Sequence, residues 1–175
     1  MTETLSLLSA AVRDVQDFPK PGILFKDITP ILSDGQLFRL AVDCFVDANA
    51  DREIDKVVGI DARGFLFGAA AAYRLGVGFI PIRKKGKLPF DTESVTYSLE
   101  YGQSVVEMHI DAIQPGEKVV LIDDLLATGG TAAAAACLIA KLGGTLLEAQ
   151  FLIELEFLAG RKALGPVPTR SFLKY

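Results

Sequence analysis

The sequence predicts an α/β fold, in which helices cover both faces of a parallel sheet. Short runs of β-branched and apolar residues recur along the chain and alternate with segments of helical periodicity. These runs are continuously apolar, which is typical of parallel strands that are buried on both faces. Half of the 175 residues are hydrophobic, so the chain can form one sizeable core. We therefore expect a single domain over residues 1–175, with its ligand at the carboxyl ends of the strands.

The N-terminal part is predicted to contain two helices with an irregular segment between them. Residues 2–15 carry apolar side chains at helical spacing, and the FPKPG stretch at 18–22 ends the pattern because proline cannot continue a helix. The stretch ILFKDITPIL that follows is expected to be irregular. A second helix is predicted over 35–49, with Ser33 or Asp34 available as its cap.

Strands and helices are predicted to alternate through the rest of the chain. The predicted strands are KVVGI (56–60), GFIPI (78–82), KVVLI (118–122) and TLLEAQFLI (145–153). Helices are expected over 65–75 and 131–142. Such alternation indicates crossover connections between parallel strands.

Residues 83–110 interrupt this alternation. They begin with the basic stretch RKKGKLPF and continue as a predicted antiparallel hairpin, in which Val95, Tyr97 and Leu99 alternate with small hydroxyl residues. We expect a mobile excursion from the core.

Composition and charge narrow the class of protein. A net charge of −4 gives no overall attraction to nucleic acid or to an anionic membrane, so neither partner is expected. Cys44 and Cys137 lie in apolar helical segments without a neighbouring His or Cys, and are expected to be reduced core residues. The N-terminus has acidic residues and no basic region before its apolar positions, so a signal peptide is not expected. We expect a cytoplasmic protein.

The most informative motif is VVLIDDLLATGGT, at residues 119–131. The strand is expected to end at Ile122, so that Asp123 and Asp124 project at the ligand edge. Glycines let the turn curl until its N–H groups converge, and the next helix adds unpaired donors, which suits a phosphate monoester. Carboxylates would repel an anion on contact, so these two are expected to accept hydrogen bonds from nearby hydroxyls. A sugar phosphate offers both groups.

The motif differs from the two common nucleotide-binding loops. It lacks the lysine of G-x-x-x-x-G-K-[ST], and its spacing does not match G-x-G-x-x-G. The alternative is an ordinary strand-turn-helix connection, in which Asp124 caps the turn and the glycines only make it tight.

This motif is similar to the phosphoribosyl pyrophosphate motif of the type I phosphoribosyltransferases. Four other segments of the chain resemble further blocks of that family in the same order, and the similarity covers nearly the whole chain. They are FPKPGILFKDITPIL (18–32), GIDARGFLFG (59–68), RKKGKLP (83–89) and YSLEYG (97–102). The early PGILFKDITP block resembles the members that use adenine. The resemblance implies a type I phosphoribosyltransferase-like parallel sheet with a small N-terminal hood over 1–34 and a flexible catalytic loop over 83–104.

The resemblance also implies a Mg²⁺-dependent reaction in which adenine and phosphoribosyl pyrophosphate yield AMP and pyrophosphate. Mg²⁺ would be held mainly by the pyrophosphate and ribose hydroxyls of the substrate, and no protein metal ligand is expected. A homodimer is implied as well, because groups of the basic stretch reach a neighbouring subunit's site in related enzymes. The 5-phosphate would be held by Ala127, Thr128, Gly129, Gly130 and Thr131, and the ribose hydroxyls would face Asp123 and Asp124.

Two other blocks are implied to bind the pyrophosphate. Asp61, Ala62 and Arg63 would form its loop, with a non-proline cis peptide, and Arg63 offers a permanently charged, bidentate donor. The family often has a small hydroxyl residue where this chain has Ala62, which matters little if backbone N–H groups bind the ligand. The alternative for Arg63 is a surface pair with Asp61.

The basic stretch is interpreted as a lid. A run of charges is usually a solvated face, but the position between a strand and a hairpin favours a loop that supplies charge to pyrophosphate and excludes water. Arg83 and Lys87 are assigned to catalysis and Lys84 to substrate binding.

The remaining assignments concern the base. Substitution through an oxocarbenium-like state depends on electrostatic positioning and requires no covalent nucleophile. Glu100 is the candidate for proton handling on the base, as a general base or an orienting acceptor, and Tyr101 is assigned to catalysis beside it. By resemblance, Phe25 would stack on adenine while the backbone of Leu24 and Lys26 reads its edge. The alternative makes Phe25 a core residue.

Two other classes of protein stay open. A non-catalytic sensor of phosphoribosyl pyrophosphate would keep DDLLATGGT, but usually with a DNA-binding segment and a degraded pyrophosphate loop. A transferase for a 6-oxopurine or orotate would keep the sugar-phosphate machinery and change the base pocket, against which the PGILFKDITP block argues.

Overall fold

The structure, a computed structural model, describes residues 2–98 and 103–175. The chain divides into two compact units, Met1–Cys44 and Phe45–Tyr175. Within the described residues, no helix combines the length and the apolar character needed to cross a membrane. The assignment of residues 1–175 to one domain stays a prediction.

The first unit contains a small antiparallel sheet and short helices. Its elements are α1 (Thr2–Ala11), β1 (Arg13–Gln16), β2 (Leu24–Asp27), α2 (Thr29–Ser33) and the start of α3 (Gly35–Asp47). β1 pairs with β2 so that Arg13 lies opposite Asp27, and these side chains form an ion pair at 2.6 Å. The helix predicted over 2–15 is therefore wrong beyond Ala11, because the residues that follow pair as a strand. The segment predicted to be irregular contains β2 and α2.

Helix α3 begins at an aspartate cap. Asp34 Oδ1 accepts hydrogen bonds from the backbone N–H groups of Gln36 at 2.8 Å and Leu37 at 2.9 Å. These bonds satisfy donors that the first turn leaves unpaired. The helix ends at Asp47, two residues before the predicted end.

The second unit is built on a seven-stranded sheet with the order β5-β6-β4-β3-β7-β8-β9. Its strands are β3 (Lys56–Ile60), β4 (Gly78–Lys84), β5 (Thr92–Ser98), β6 (Gln103–His109), β7 (Lys118–Leu126), β8 (Thr145–Glu154) and β9 (Thr169–Lys174). The five strands from β4 to β9 in this order pair in parallel, and the β5–β6 hairpin joins β4 antiparallel. The predicted α/β fold and its hairpin are confirmed. β9 was not predicted.

Helices flank this sheet, as predicted. They are α4 (Gly64–Leu75), α5 (Gly130–Lys141) and α6 (Arg161–Leu164), with a 3-10 helix at Glu156–Leu158. Val58 and Leu121 pack in one buried cluster with Leu138 of α5. Because neighbouring side chains of a strand point to opposite faces, the equally buried Val57 and Val120 line the other face. Burial on both faces explains the continuously apolar strands.

The two cysteines differ from the prediction. Cys44 is half-buried on α3, whereas Cys137 is exposed on α5. The prediction that Cys137 belongs to the core is wrong, because it lies on the side of α5 turned away from the sheet cluster that contains Leu138.

Candidate active site

A cleft opens at the carboxyl end of the sheet, where two strand pairings differ in length. The pairing of β7 with β3 extends to Gly59 and Ile122, whereas its pairing with β8 continues to Leu126 and Glu154. The strand end predicted at Ile122 is thus too early, because β8 alone supports four more residues of β7. The cleft has a volume of about 310 Å³, and its lining includes Asp61, Ala62, Arg63, Asp123, Asp124, Ala127, Thr128, Gly129, Gly130 and Thr131.

The loop that precedes α5 has the geometry of an anion nest. Gly129 has a φ of +82°, a left-handed conformation that glycine adopts without strain, and no side chain caps the helix that follows. The first N–H groups of α5 are therefore available to a ligand, together with the positive end of the helix dipole. The alternative in which Asp124 caps this turn is not observed, since its carboxylate is paired elsewhere.

The backbone of this loop lies very close to the backbone of Gly160 at two points. A Cβ atom on Gly129 would overlap the carbonyl oxygen of Gly160, and a Cβ atom on Gly160 would overlap the carbonyl oxygen of Ala127. Gly160 was missed in the sequence analysis, because its partners lie about thirty residues earlier in the chain and no local pattern connects them. The loop thus requires glycine on both sides of the contact.

The paired carboxylates lie in a partly dehydrated environment. Asp124 is buried and its Oδ2 lies 2.9 Å from Nε of Arg63, while Asp123 Oδ1 accepts the backbone N–H of Asp124 at 2.9 Å. Burial raises the pKa of Asp123 well above its ordinary value, and the adjacent Asp124 raises it further. Burial also raises the pKa of Asp124, an effect that Arg63 partly offsets. Burial in the cleft therefore disfavours a negative charge on both carboxylates at once.

The predicted pyrophosphate loop lies across the cleft from these acids. The peptide bond between Asp61 and Ala62 is cis. Arg63 precedes the first turn of α4 and pairs with Asp124, whereas Asp61 pairs with Arg83 at 3.0 Å. Among the described residues, the alternative surface pair between Arg63 and Asp61 is therefore not observed.

The basic turn after β4 is anchored to the sheet. The Gly86 N–H donates to Glu107 Oε2 at 2.9 Å, and the Arg83 guanidinium donates to the Lys87 carbonyl at 3.2 Å. Lys84 and Lys87 are exposed, while Glu107 is buried. Glu107 was missed, although an acid inside the apolar run VVEMHI is a signal for a buried polar contact. The lysines of this turn are therefore exposed to solvent, while hydrogen bonds hold its backbone to the sheet.

The residues assigned to adenine lie in the first unit. Leu24, Phe25 and Lys26 belong to β2, where the Phe25 ring packs edge-on against Phe18 with centroids 5.1 Å apart. Phe25 is half-buried, so it is not one of the fully buried core residues. Their assignment to the base stays a prediction.

Two residues of the predicted catalytic set, Glu100 and Tyr101, lie outside the described residues. Within residues 2–98 and 103–175, no group of three or more His, Cys, Asp or Glu side chains is arranged to hold a metal ion. The cleft is lined by the acidic pair, the nest and Arg63, and Arg83 pairs with Asp61 of its lining.

Known proteins share this architecture. A model of the phosphoribosyl transferase domain matches residues 35–161. The chain belongs to the phosphoribosyltransferase family. An adenine phosphoribosyltransferase of Agrobacterium fabrum is 55% identical over 164 residues, which cover 94% of this chain and 91% of that protein. The family resemblance inferred from the motifs is confirmed.

Solved structures agree with this assignment. The adenine phosphoribosyltransferase of Rhodothermus marinus DSM 4252 matches with a TM-score of 0.94 at 49% identity, covering 100% of both chains. The Saccharomyces cerevisiae enzyme, complexed with D-2,5-dideoxy-2,5-imino-altritol 1,6-bisphosphate and adenine, matches with a TM-score of 0.94 at 41% identity, covering 98% of this chain and 99% of that one. The fold is that of a phosphoribosyltransferase.

The acidic pair of this phosphoribosyltransferase is expected to destabilise the fold at neutral pH. Asp123→Asn keeps an oxygen that can accept the Asp124 N–H and removes one charge, so at pH 8 thermal unfolding should show a Tm about 2–4 °C higher. Because the pKa of Asp123 is raised in the folded state, its negative charge destabilises the wild-type fold fully above that pKa. The destabilisation disappears as pH falls to the ordinary pKa of 3.8. The gain should therefore vanish in acid. The exposed Asp51 gives a control in Asp51→Asn, and an equal gain there would contradict this prediction.

Gly160→Ala is expected to disrupt the nest. The added methyl group cannot be accommodated beside the Ala127 carbonyl without moving the loop. The affinity for ribose 5-phosphate should fall roughly tenfold or more, as expected when several backbone donors lose alignment. Gly35→Ala is a matched control, since a Cβ atom there meets nothing within 4 Å. Calorimetric titration that shows unchanged affinity for Gly160→Ala would refute the role given to this contact.

Proposed function

We propose that this chain transfers the 5-phosphoribosyl group from phosphoribosyl pyrophosphate to adenine, forming AMP and pyrophosphate in purine salvage. The observation that carries the proposal is the acidic pair, the uncapped nest and Arg63 around one cleft. Adenine as the acceptor is supported by the name of the Agrobacterium relative and by the adenine bound in the yeast structure.

The substrate would occupy the cleft in two parts. The 5-phosphate would bind the loop from Ala127 to Thr131, which supplies N–H groups and two threonine hydroxyls. The ribose hydroxyls would donate to Asp123 and Asp124, and Arg63 would bind the pyrophosphate. Because Arg63 is paired with Asp124, pyrophosphate would replace Asp124 as the partner of the guanidinium, and the ribose hydroxyls would replace Arg63 as the partner of the carboxylate.

The reaction breaks the bond between the anomeric carbon and pyrophosphate and forms the bond to a ring nitrogen of adenine, which loses a proton. Positive charge that develops on the ribose is stabilised by the nearby carboxylates, and the negative charge of the leaving group by Arg83, Lys84 and Lys87. Glu100, with Tyr101, would handle the proton of the base. Preorganised charge thus replaces a covalent nucleophile.

Mg²⁺ is proposed as the cofactor. Its ligands would come mainly from the pyrophosphate and ribose hydroxyls, with Asp123 and Asp124 holding those hydroxyls. The residues of the cleft fit this arrangement, because the carboxylate oxygens of Asp123 and Asp124 can accept hydrogen bonds from the ribose hydroxyls, and Mg²⁺ usually keeps several waters and binds substrate phosphates. When bound, the ion supplies positive charge to the leaving pyrophosphate.

The base pocket is proposed to come from β2. Phe25 would stack on the purine, and the backbone carbonyl and N–H groups at Leu24 and Lys26 would read the amine and a ring nitrogen. The half-buried state of Phe25 supports this role, because a stacking ring needs one accessible face. We place the protein in the cytoplasm, where thiols such as Cys137 stay reduced.

The decisive experiment is a nucleobase competition. Purified protein with phosphoribosyl pyrophosphate and Mg²⁺ is given adenine, hypoxanthine, guanine, xanthine and orotate, and the nucleotides formed are separated by chromatography. AMP alone is expected, and omission of Mg²⁺ with EDTA should reduce the rate by at least tenfold. IMP, GMP, XMP or orotidylate instead would refute the base pocket, and the absence of any nucleotide would favour the sensor.

A homodimer is also proposed. Helix α4 exposes Leu66 and Tyr73, seven residues apart and therefore on one face, with 44% and 86% of their surface accessible. A second copy that covered this face would remove apolar surface from water. Sedimentation should show a dimer for wild type and a monomer for the double variant Leu66→Glu and Tyr73→Glu. Phe157→Glu, at another exposed aromatic residue, should stay dimeric, and a wild-type monomer would overturn the proposal.

A further inference from the structure

Helix α5 is tied to strand β5 at both of its ends. At the beginning of the helix, the hydroxyl oxygens of Thr131 and Tyr97 lie 3.2 Å apart and share a hydrogen bond. At its end, Lys141 Nζ lies 2.7 Å from Glu93 Oε1 and donates to the Ser94 carbonyl at 3.2 Å. The contact at Thr131 involves a residue of the nest, whereas the contact at Lys141 lies at the other end of the helix.

The contact at Thr131 has a chemical consequence for phosphate binding. A phosphate dianion has only acceptor oxygens, so a hydroxyl that binds it must donate its single proton to the ligand. The hydrogen bond between Thr131 and Tyr97 joins two hydroxyls, so either one can be its donor. When the Thr131 proton is donated to a phosphate, Tyr97 must therefore be the donor of the hydrogen bond between the two hydroxyls.

We propose that Tyr97 is a positioning residue for the 5-phosphate, acting through Thr131. With ligand bound, the Tyr97 hydroxyl donates to Thr131 Oγ1, and the Thr131 hydroxyl donates to a phosphate oxygen. A hydroxyl that accepts one hydrogen bond while donating another is polarised, so its donated bond becomes stronger. No bond other than hydrogen bonds changes in this step. The inference rests on the function proposed above.

The packing of Tyr97 makes it suitable for this role. Its ring packs against the buried cluster that includes Leu138 and Ile139 of α5, so the position of its hydroxyl is set by the core. A threonine hydroxyl on its own can occupy several rotamers, whereas one held by a fixed partner is preorganised for the ligand. Tyr97, held in place by the buried cluster, thus restricts the side-chain conformation of Thr131 at the edge of the nest.

The test is a double-mutant cycle on the complete chain, with ribose 5-phosphate and inorganic pyrophosphate as separate calorimetric probes. Tyr97→Phe keeps the ring and removes the hydroxyl, and it should weaken ribose 5-phosphate binding about 3- to 10-fold, the range for one neutral hydrogen bond. Pyrophosphate affinity should not change. In a Thr131→Val background, Tyr97→Phe should have no further effect, because the hydroxyl it acts through is absent. Thr131→Ser, which keeps a hydroxyl, should restore the sensitivity to Tyr97→Phe.

The second tether provides the control. Lys141→Met removes the exposed pair with Glu93 and also loosens β5 from α5, so a general packing effect would weaken ribose 5-phosphate binding there too. Equal loss in Lys141→Met and Tyr97→Phe, additive effects in the cycle, or no loss in Tyr97→Phe would each overturn the inference. AMP formation by wild type is measured in parallel: its absence would refute the proposed function, whereas wild-type activity with an unaffected Tyr97→Phe would refute this inference alone.

Discussion

The continued pairing of β7 with β8, beyond the point where β3 ends, is the constraint on which the cleft depends. After Ile122, β7 is held along one edge, while the chain that leaves β3 turns away through Asp61. The separation of these two segments creates the space for a ligand and aims the acids of β7 and the arginine before α4 into it. Closing this gap by a longer β3 would satisfy more backbone groups and remove the site.

The nest depends on a second constraint, the contact of two backbones without side chains between them. The carbonyl groups of Gly160 and Ala127 occupy the positions where Cβ atoms would stand on Gly129 and Gly160. Gly64 also lies close to β7, because a Cβ atom there would meet the backbone carbonyl oxygen of Ile122 at 3.0 Å and the side-chain Oδ1 of Asp123 at 2.6 Å. These approaches leave no room for a Cβ atom, so each of the three positions requires glycine for the backbone to keep this course.

Sequence patterns predicted the parts of this molecule that depend on local chemistry. The central strands were recognisable because both faces are buried, and the nest because glycines and a helix start are adjacent in the chain. The end of β7 was misplaced because acids usually mark the end of a strand, whereas pairing with β8 carries the strand past Asp123 and Asp124. β9 was missed because TRSFLK mixes charged and apolar residues, and Tyr97 and Gly160 act through partners distant in sequence.

The ion pair between Arg63 and Asp124 bears on which ligands the cleft would accept. Arg63 is matched with the buried Asp124, so an anion that takes the guanidinium leaves a dehydrated carboxylate without its counter-charge, an arrangement that costs several kcal/mol when nothing replaces the partner. A ligand that also carries hydroxyls compensates Asp124 at the same moment. With the substrate placed as proposed above, the pair would favour an anion attached to a sugar over the anion alone. Under the function proposed above, recognition of the two chemical groups would be coupled through a single ion pair, held by carboxylates whose pKa values are raised by burial.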